Sequence, residues 1–481
     1  MARVVVLGAG IAGHTASTFL KKWLGKKHEV IVVSPNSNWQ WVPSNIWIGV
    51  GYMKPKDVKV DLRKVYSKAG IEFKQAKALS IHPDENYITI EYTDPSKKGQ
   101  KETVKYDYLI NATGPKLNFA ATPGLGPDHG HTTSVCTYSH AEEAFEKLQA
   151  SVEKMKKGQR QKILVGLGHG MCTCQGAAFE YILNVEHYIR SQGVRDMADI
   201  TYITNEYELG DLGMGGMQVK VGGYITSSKI FVESVFAERE INWIKRVHIN
   251  KVEAGKAYYE DLDGNFGEVE FDFAMLIPPF AGAGIKAYDK NGNDITSELF
   301  NPGGFMFVDA DYSSAKKDYY EWKASDWPKT YQNPKYKNIF AAGIAFAPPH
   351  LISKPMKSPN GTPINPTPPR TGMPSAIIAK VVAENVRDLV LGKSTEPHHT
   401  ASMASMGAAC VVSMGPGVFK GMAATMTVYP VVPDFDKYEF GRDLEFTIGE
   451  VGLAGHWLKH MLHYVFIYKA KLLPGWTIIP E

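Results

Sequence analysis

One short stretch near the start constrains this chain more than any other: Val4-Val-Val-Leu7-Gly8-Ala-Gly10-Ile11-Ala12-Gly13, running on into His-Thr-Ala-Ser-Thr-Phe-Leu. An unbroken β-branched run reads as a strand buried on both faces, and the residues after the glycines have helical periodicity. Between strand and helix, Gly8, Gly10 and Gly13 stand in G-x-G-x-x-G spacing. In a strand–turn–helix setting the first glycine permits the tight turn and the second lets the backbone approach a pyrophosphate. The third lets helix and strand pack closely. The helix N-terminus then turns unpaired N–H groups and the positive end of its dipole toward the phosphates. A strand buried on both faces needs parallel neighbours and helices above and below, so the fold class is α/β. The next strand, residues 29–33, ends at Ser34, where an acid usually binds the ribose hydroxyls; a serine hydrogen-bonds there more weakly than a carboxylate.

Two later segments extend the pattern. Tyr108-Leu-Ile-Asn-Ala-Thr113-Gly114 is a strand running into small residues, and Asn338-Ile-Phe-Ala-Ala-Gly343 is another, followed by Ile344 where an Asp is usual. In this order the three segments resemble the glutathione-reductase-like flavoproteins. That resemblance implies FAD and two Rossmann-like domains, the FAD domain being discontinuous.

A second turn starts at Gln161-Lys-Ile-Leu-Val-Gly166-Leu-Gly168-His-Gly-Met171. The third glycine position is Met171, and Cys172 and Cys174 stand where a nicotinamide nucleotide's phosphates would lie. Glu206, after the strand ending at Thr204, is left as a weak ribose acceptor. A nicotinamide donor is therefore disfavoured, and electrons are expected to enter through cysteine chemistry.

Composition narrows the chemistry. The 481 residues suggest about three domains. With 44% hydrophobic and 21% charged residues the chain is not a disordered one. A net charge of +3 leaves no electrostatic footprint for nucleic acid. Four cysteines are too few for a secreted disulfide scaffold. C-x-C without a second pair is weak evidence for zinc, and no metal is expected. Buried cysteine that merely packs is the ordinary alternative to a redox pair.

Several further segments, in order, resemble the sulfide:quinone oxidoreductases. They are Trp41-Val-Pro43-Ser-Asn45-Ile-Trp-Ile-Gly-Val-Gly51, Cys136-Thr-Tyr-Ser-His140, Cys174-Gln-Gly-Ala-Ala-Phe-Glu180, Asn301-Pro-Gly-Gly-Phe305, Gly343-Ile344-Ala345, Arg370-Thr371-Gly372 and Cys410. The resemblance covers nearly the whole chain, and the Ile at 344 is itself shared with prokaryotic members. It implies that Cys174 and Cys410 receive sulfide and carry a growing sulfur chain. Cys136 corresponds to a third cysteine that in some members attaches to the flavin. Glu180 and His140 match positions proposed to handle protons. Lys459 matches a lysine near the flavin and the quinone head, and Val411 and Leu462 stand where relatives carry Phe. Tyr464 or Phe466 is then the aromatic contact for the quinone. Asp211 stands where relatives may carry His, and Cys172 has no counterpart. A low-dielectric site with positive charge nearby is expected to favour thiolate over thiol.

The C-terminal pattern LAGHWLKHMLHYVFIY over residues 453–468 places Ala454, Trp457, Leu458, Met461, Leu462 and Val465 at helical spacing. His456, Lys459, His460 and His463 fill the other side. Such a helix suits a bilayer interface, and packing on the domain or on a second subunit is the alternative. The resemblance favours the interface: a peripheral, monotopic membrane protein, on either side of the membrane, touching lipid and assembling as a homo-oligomer. No window offers the roughly 20 apolar residues of a membrane-spanning helix. The N-terminal apolar run is also too short for a secretory signal, which spans about 7–15 residues.

The expected division is residues 1–118 and 303–400 for FAD, 119–302 for the second Rossmann-like domain, and 401–481 for the second redox cysteine, quinone and membrane. Two excursions stand out, 310–336 and the proline-dense 348–369, the latter read as a rim of the site, an oligomer contact or a surface loop. Three other functions stay open: a sulfide dehydrogenase flavoprotein subunit donating to a haem protein, an NAD(P)H:quinone reductase, and a non-catalytic flavin-fold membrane scaffold.

Overall fold

A computed structural model describes all residues except Val418 and Lys420. The first strand, Arg3–Leu7, is flanked in parallel by Glu29–Ser34 on one side and Tyr108–Asn111 on the other. Val4, Val5, Val6 and Leu7 are wholly buried, each contributing roughly 1.5–3 kcal/mol relative to exposure. Ile339–Ala341 adds a parallel strand beyond Tyr108–Asn111, and Glu72–His82 adds one beyond Glu29–Ser34. Antiparallel strands Tyr87–Tyr92 and Lys101–Lys105 complete that edge. The helix Ile11–Leu24 and the later helix Gly372–Val390 lie together against this sheet.

The second Rossmann-like unit is a four-stranded parallel sheet in the order Asn242–Ile244, Ala198–Ile203, Gln161–Leu167, Phe273–Ile277. The helix Gln175–Ser191 follows its glycine turn. The last unit is a five-stranded sheet ordered Tyr224–Ser227, Gln218–Val221, Ile448–Gly452, Met422–Val428, Ala408–Met414. Two of these strands come from the 119–302 stretch, so the C-terminal sheet is built partly from the second unit's own chain.

The helix Leu453–Ala470 caps that sheet with its sides reversed. His456, Lys459 and His463 are buried, while Trp457, Met461, Tyr464 and Tyr468 are exposed. Among the described residues no helix is long and apolar enough to cross a membrane.

Candidate active site

The first glycine turn fits a dinucleotide. Gly8 has φ +95, and a Cβ there would strike the Ala112 carbonyl. A Cβ on Gly13 would strike the Gly8 carbonyl, which is why helix and strand can close on each other. At Gly10, by contrast, nothing lies within 4 Å of where a Cβ would sit, and Gly114 at φ +69 faces open space too. Gly10 caps the helix with no side-chain hydrogen bond, so the first-turn N–H groups are left for a ligand. Ile11 and Ala12 open that helix, and Ser34 ends the neighbouring strand, buried.

Around this groove the remaining expected cofactor residues close in. Thr113 donates to the Asn111 side chain at 2.8 Å. Gly343, at φ +64, has no room for a Cβ, which would come 2.7 Å from that of Ala12. Gly372 leaves its space to Ile11, whose Cδ1 lies 3.1 Å from a Cβ position, while Thr371 caps that helix from the exposed side. Asn45 is fully buried and donates to the Val135 carbonyl at 3.1 Å, tying the segment that holds Pro43 to the residue before Cys136. An open cradle with an uncapped helix end is what FAD's pyrophosphate requires, so the residues present fit it.

The second turn does not offer a matching cradle. The chain's own residues 363–368 lie in it. Asn365 N donates to the Gly170 carbonyl at 2.7 Å, and Thr367 N to the Cys172 carbonyl at 3.0 Å. Thr173 donates to the Pro368 carbonyl at 3.1 Å. The turn is held from the other side by Asn205, which donates to the Gly170 and Cys172 carbonyls, and by Gln175, which donates to Asn205. Residues 363–368 of the proline-dense segment therefore pack on the turn, while Lys354, Pro355 and residues 359–361 are exposed. Glu206 is no ribose acceptor: it is buried and receives hydrogen bonds from Leu212 N at 2.9 Å and Thr204 at 2.8 Å. Burial pushes its carboxyl up to about 7.

The cysteines gather here. Cys174 caps the helix Gln175–Ser191 in the left-handed region at φ +69, a strained conformation for a residue with a Cβ. Gly176 lies in the first turn of that helix, and a Cβ there would come 3.1 Å from the Cys410 sulfur. The fold thus brings Cys410, from the strand Ala408–Met414, over the end of the helix that Cys174 caps. Cys136 lies near enough for its charge to act on Cys174. All four cysteines are free. Cys172 is wholly buried and donates to the Ile277 carbonyl at 3.2 Å.

The expected thiolates are corrected by burial. Desolvation pushes Cys174 up to about 12 and Cys136 and Cys410 up to about 11. Arg370 near Cys174 and Lys459 near Cys410 pull the other way and are outweighed.

Lys459 is not a free cation. Its ammonium donates to Glu180 at 2.7 Å and to the Val411 carbonyl at 3.0 Å. Glu180 also accepts from Ser413 N at 3.0 Å and Ser413 Oγ at 2.5 Å. Trp47 donates to that hydroxyl at 2.9 Å, and Asn184 donates to the Ser413 carbonyl at 2.7 Å. Ser413, Trp47, Asn184 and Arg370 are the site residues that sequence reasoning missed as individuals. Only an unusual Arg or Trp inside an apolar run could have flagged them.

Five further expected residues lie as follows. His140 sits against Phe119, facing Asp128 and Glu143, and its Nδ1 meets no partner among the described residues. Tyr464 points outward, 65% exposed. Phe466 instead stacks on Trp41 with ring centroids 4.7 Å apart, lining an apolar cavity with Ile11, Trp39 and Trp476. Leu462 is half-buried. Asp211 is held by Ser353 at 2.5 Å, facing Arg442.

A family profile described as pyridine nucleotide-disulphide oxidoreductase matches residues 2–194. The sulfide-quinone reductase of Aquifex aeolicus is 30% identical over 468 residues, covering 97% of this chain and 91% of that protein. The mitochondrial sulfide:quinone oxidoreductase of Mus musculus is 24% identical over 71% of this chain, and the match spans 64% of that protein. Among solved structures, the sulfide:quinone oxidoreductase from Aquifex aeolicus superimposes with a TM-score of 0.76 at 29% identity, covering 98% of this chain and 92% of that one. With thiols gathered at a closed nucleotide turn, an open flavin cradle and this end-to-end likeness, the chain belongs to the sulfide:quinone oxidoreductase family.

Proposed function

We propose that this protein oxidises sulfide at Cys174 and Cys410 and passes two electrons through FAD to a quinone. One observation carries the reading: the chain's own residues 363–368 occupy the second nucleotide turn, and the strained Cys174 stands beside it under Cys410. A nicotinamide donor has no turn to bind, whereas sulfur chemistry has two sulfurs at the mouth of one helix.

In the oxidised pair, hydrosulfide attacks one sulfur of a Cys174–Cys410 bridge. A new S–S bond forms as the old one breaks, leaving a persulfide on one cysteine and a thiolate on the other. When bound, FAD supplies the two-electron acceptor that restores the bridge and hands the electrons to a quinone. Gly10, Gly114 and the helix end at Ile11 would hold its pyrophosphate, with Ser34 at the ribose. Thr113, Gly343, Ile344 and Gly372 would shape the groove, and Cys136 would supply the sulfur for an attachment. Lys459, fixed by Glu180 beside Val411, presents a positive charge where a quinone oxygen gains electrons.

Membrane attachment is supported by the reversed C-terminal helix. Trp457, Met461 and Tyr464 are exposed on it, and Phe435, Phe440, Phe446 and Ile478 are exposed nearby in sequence. Exposed apolar side chains of this kind suit a lipid interface, from which a quinone would enter along Phe466 and Leu462.

The test is spectroscopic. Purified protein should be yellow, bleach with sulfide and recolour with a soluble quinone. Cys174→Ala and Cys410→Ala should keep the flavin and lose bleaching. Bleaching by NADH but not by sulfide would overturn the reading.

A further inference from the structure

The mechanism leaves unused a row of imidazoles on the buried face of the C-terminal helix. His456 is wholly buried, and neither ring nitrogen meets a hydrogen-bond partner among the described residues. The Gly417 carbonyl lies close but out of hydrogen-bond geometry. His460, one turn on, contacts it edge to face with centroids 4.6 Å apart, and its Nε2 is also without a partner. The fold makes room for these rings: a Cβ on Gly421 would collide with His456, and one on Gly415 with His187.

Titratable and polar groups from several neighbouring elements face the row. The half-buried His187, from the helix Gln175–Ser191, lies against Gly415 and acts electrostatically on His456. Lys459 is the neighbour of His460 and the partner of Glu180. Trp47 stacks on His460 at 4.6 Å and donates to Ser413, which donates to Glu180. Beyond, His463 shares a 2.9 Å hydrogen bond with Ser44 and faces Asp57.

The two imidazoles adjoin, and each can take a proton on one nitrogen and release one from the other. We propose that His456 and His460 form a proton path from solvent at His187 to the Glu180–Lys459 pair, where quinone is reduced. The inference rests on the function proposed above. Reducing a quinone to quinol takes two electrons and two protons. The electrons come from sulfide, and the path supplies protons from water. Each ring passes a proton on and returns to neutral, so the path itself is neither oxidised nor reduced.

The test separates the two half-reactions in flavin-loaded protein. His456→Phe and His460→Phe keep a ring in place, and Phe at 460 still stacks on Trp47. Sulfide-driven bleaching should stay within about twofold of wild type. Quinone-driven recolouring should slow by about tenfold or more, with a larger solvent isotope effect. In histidine-labelled protein followed by NMR, removing either ring should raise the titration midpoint of the other, because the two charges repel. If the Phe variants lose flavin, the same slowing is expected of His456→Gln and His460→Gln. Recolouring at the wild-type rate, with an unchanged isotope effect, overturns the path. A wild type that sulfide does not bleach overturns the function instead.

Discussion

At the residue scale the chemistry of the sulfurs is set by burial. Cys174 lies near Arg370, whose guanidinium is itself buried, donates to the Ile344 carbonyl at 2.5 Å and sits over the Phe305 ring at 4.3 Å. Even so, desolvation holds the thiol at about 12. Alkylation of Cys174 by iodoacetamide should therefore be slow at pH 7 and rise about tenfold per pH unit, since only the thiolate reacts. Arg370→Met should slow it further, read by mass spectrometry of the Cys174 peptide. Glu206 offers a second case. Its folded carboxyl titrates near 7, above its unfolded value, so the folded state binds more protons between those values and stability falls as pH rises toward 7. Glu206→Gln should raise stability at pH 8 by roughly 1–3 kcal/mol and change little at pH 4. Denaturant midpoints at the two pH values measure this.

At the element scale the C-terminal helix is turned inside out for a water-soluble protein. Its ammonium at Lys459 and imidazoles at His456 and His463 face the interior, and its Trp and Met face out. The polar face is held by Glu180, Val411 and Ser44, and the opposite face exposes Trp457, Met461 and Tyr464. Replacing Trp457 and Met461 with Lys should release the protein from liposomes in a flotation assay while sulfide-driven bleaching in solution persists. The charges would have to leave water for lipid, at about 2.5–3.5 kcal/mol each at full depth and less at an interface.

At the scale of the whole molecule the units meet at one hydroxyl. Ser413 joins Trp47 of the cofactor-edge segment, Glu180 and Asn184 of the cysteine helix, and through Glu180 the C-terminal helix. Ser413→Ala leaves the Trp47 N–H and one Glu180 contact unmade in the interior. The expected cost is about 1–3 kcal/mol, seen as a lower unfolding temperature and a slower quinone step, with flavin still bound. The strands Gln218–Val221 and Tyr224–Ser227 join the C-terminal sheet at the edge opposite Ala408–Met414, a second tie between the two units.

The sequence by itself determined the parts whose signal is local. A β-branched run and three spaced glycines must make a strand, a turn and a helix end, and the degraded second turn with its cysteines already argued against a nicotinamide donor. Its end-to-end resemblance then named Cys174, Cys410 and Lys459. The tertiary structure decided what depends on neighbours far along the chain. It raised the thiols that charge alone was expected to lower, because desolvation is a property of everything around a group. It laid residues 363–368 on the second glycine turn through Asn365 and Thr367. It also chose which side of an amphipathic helix faces inward. Periodicity shows that a helix has two faces; only the partners that Glu180 and Ser44 provide determine that the histidine face is the buried one.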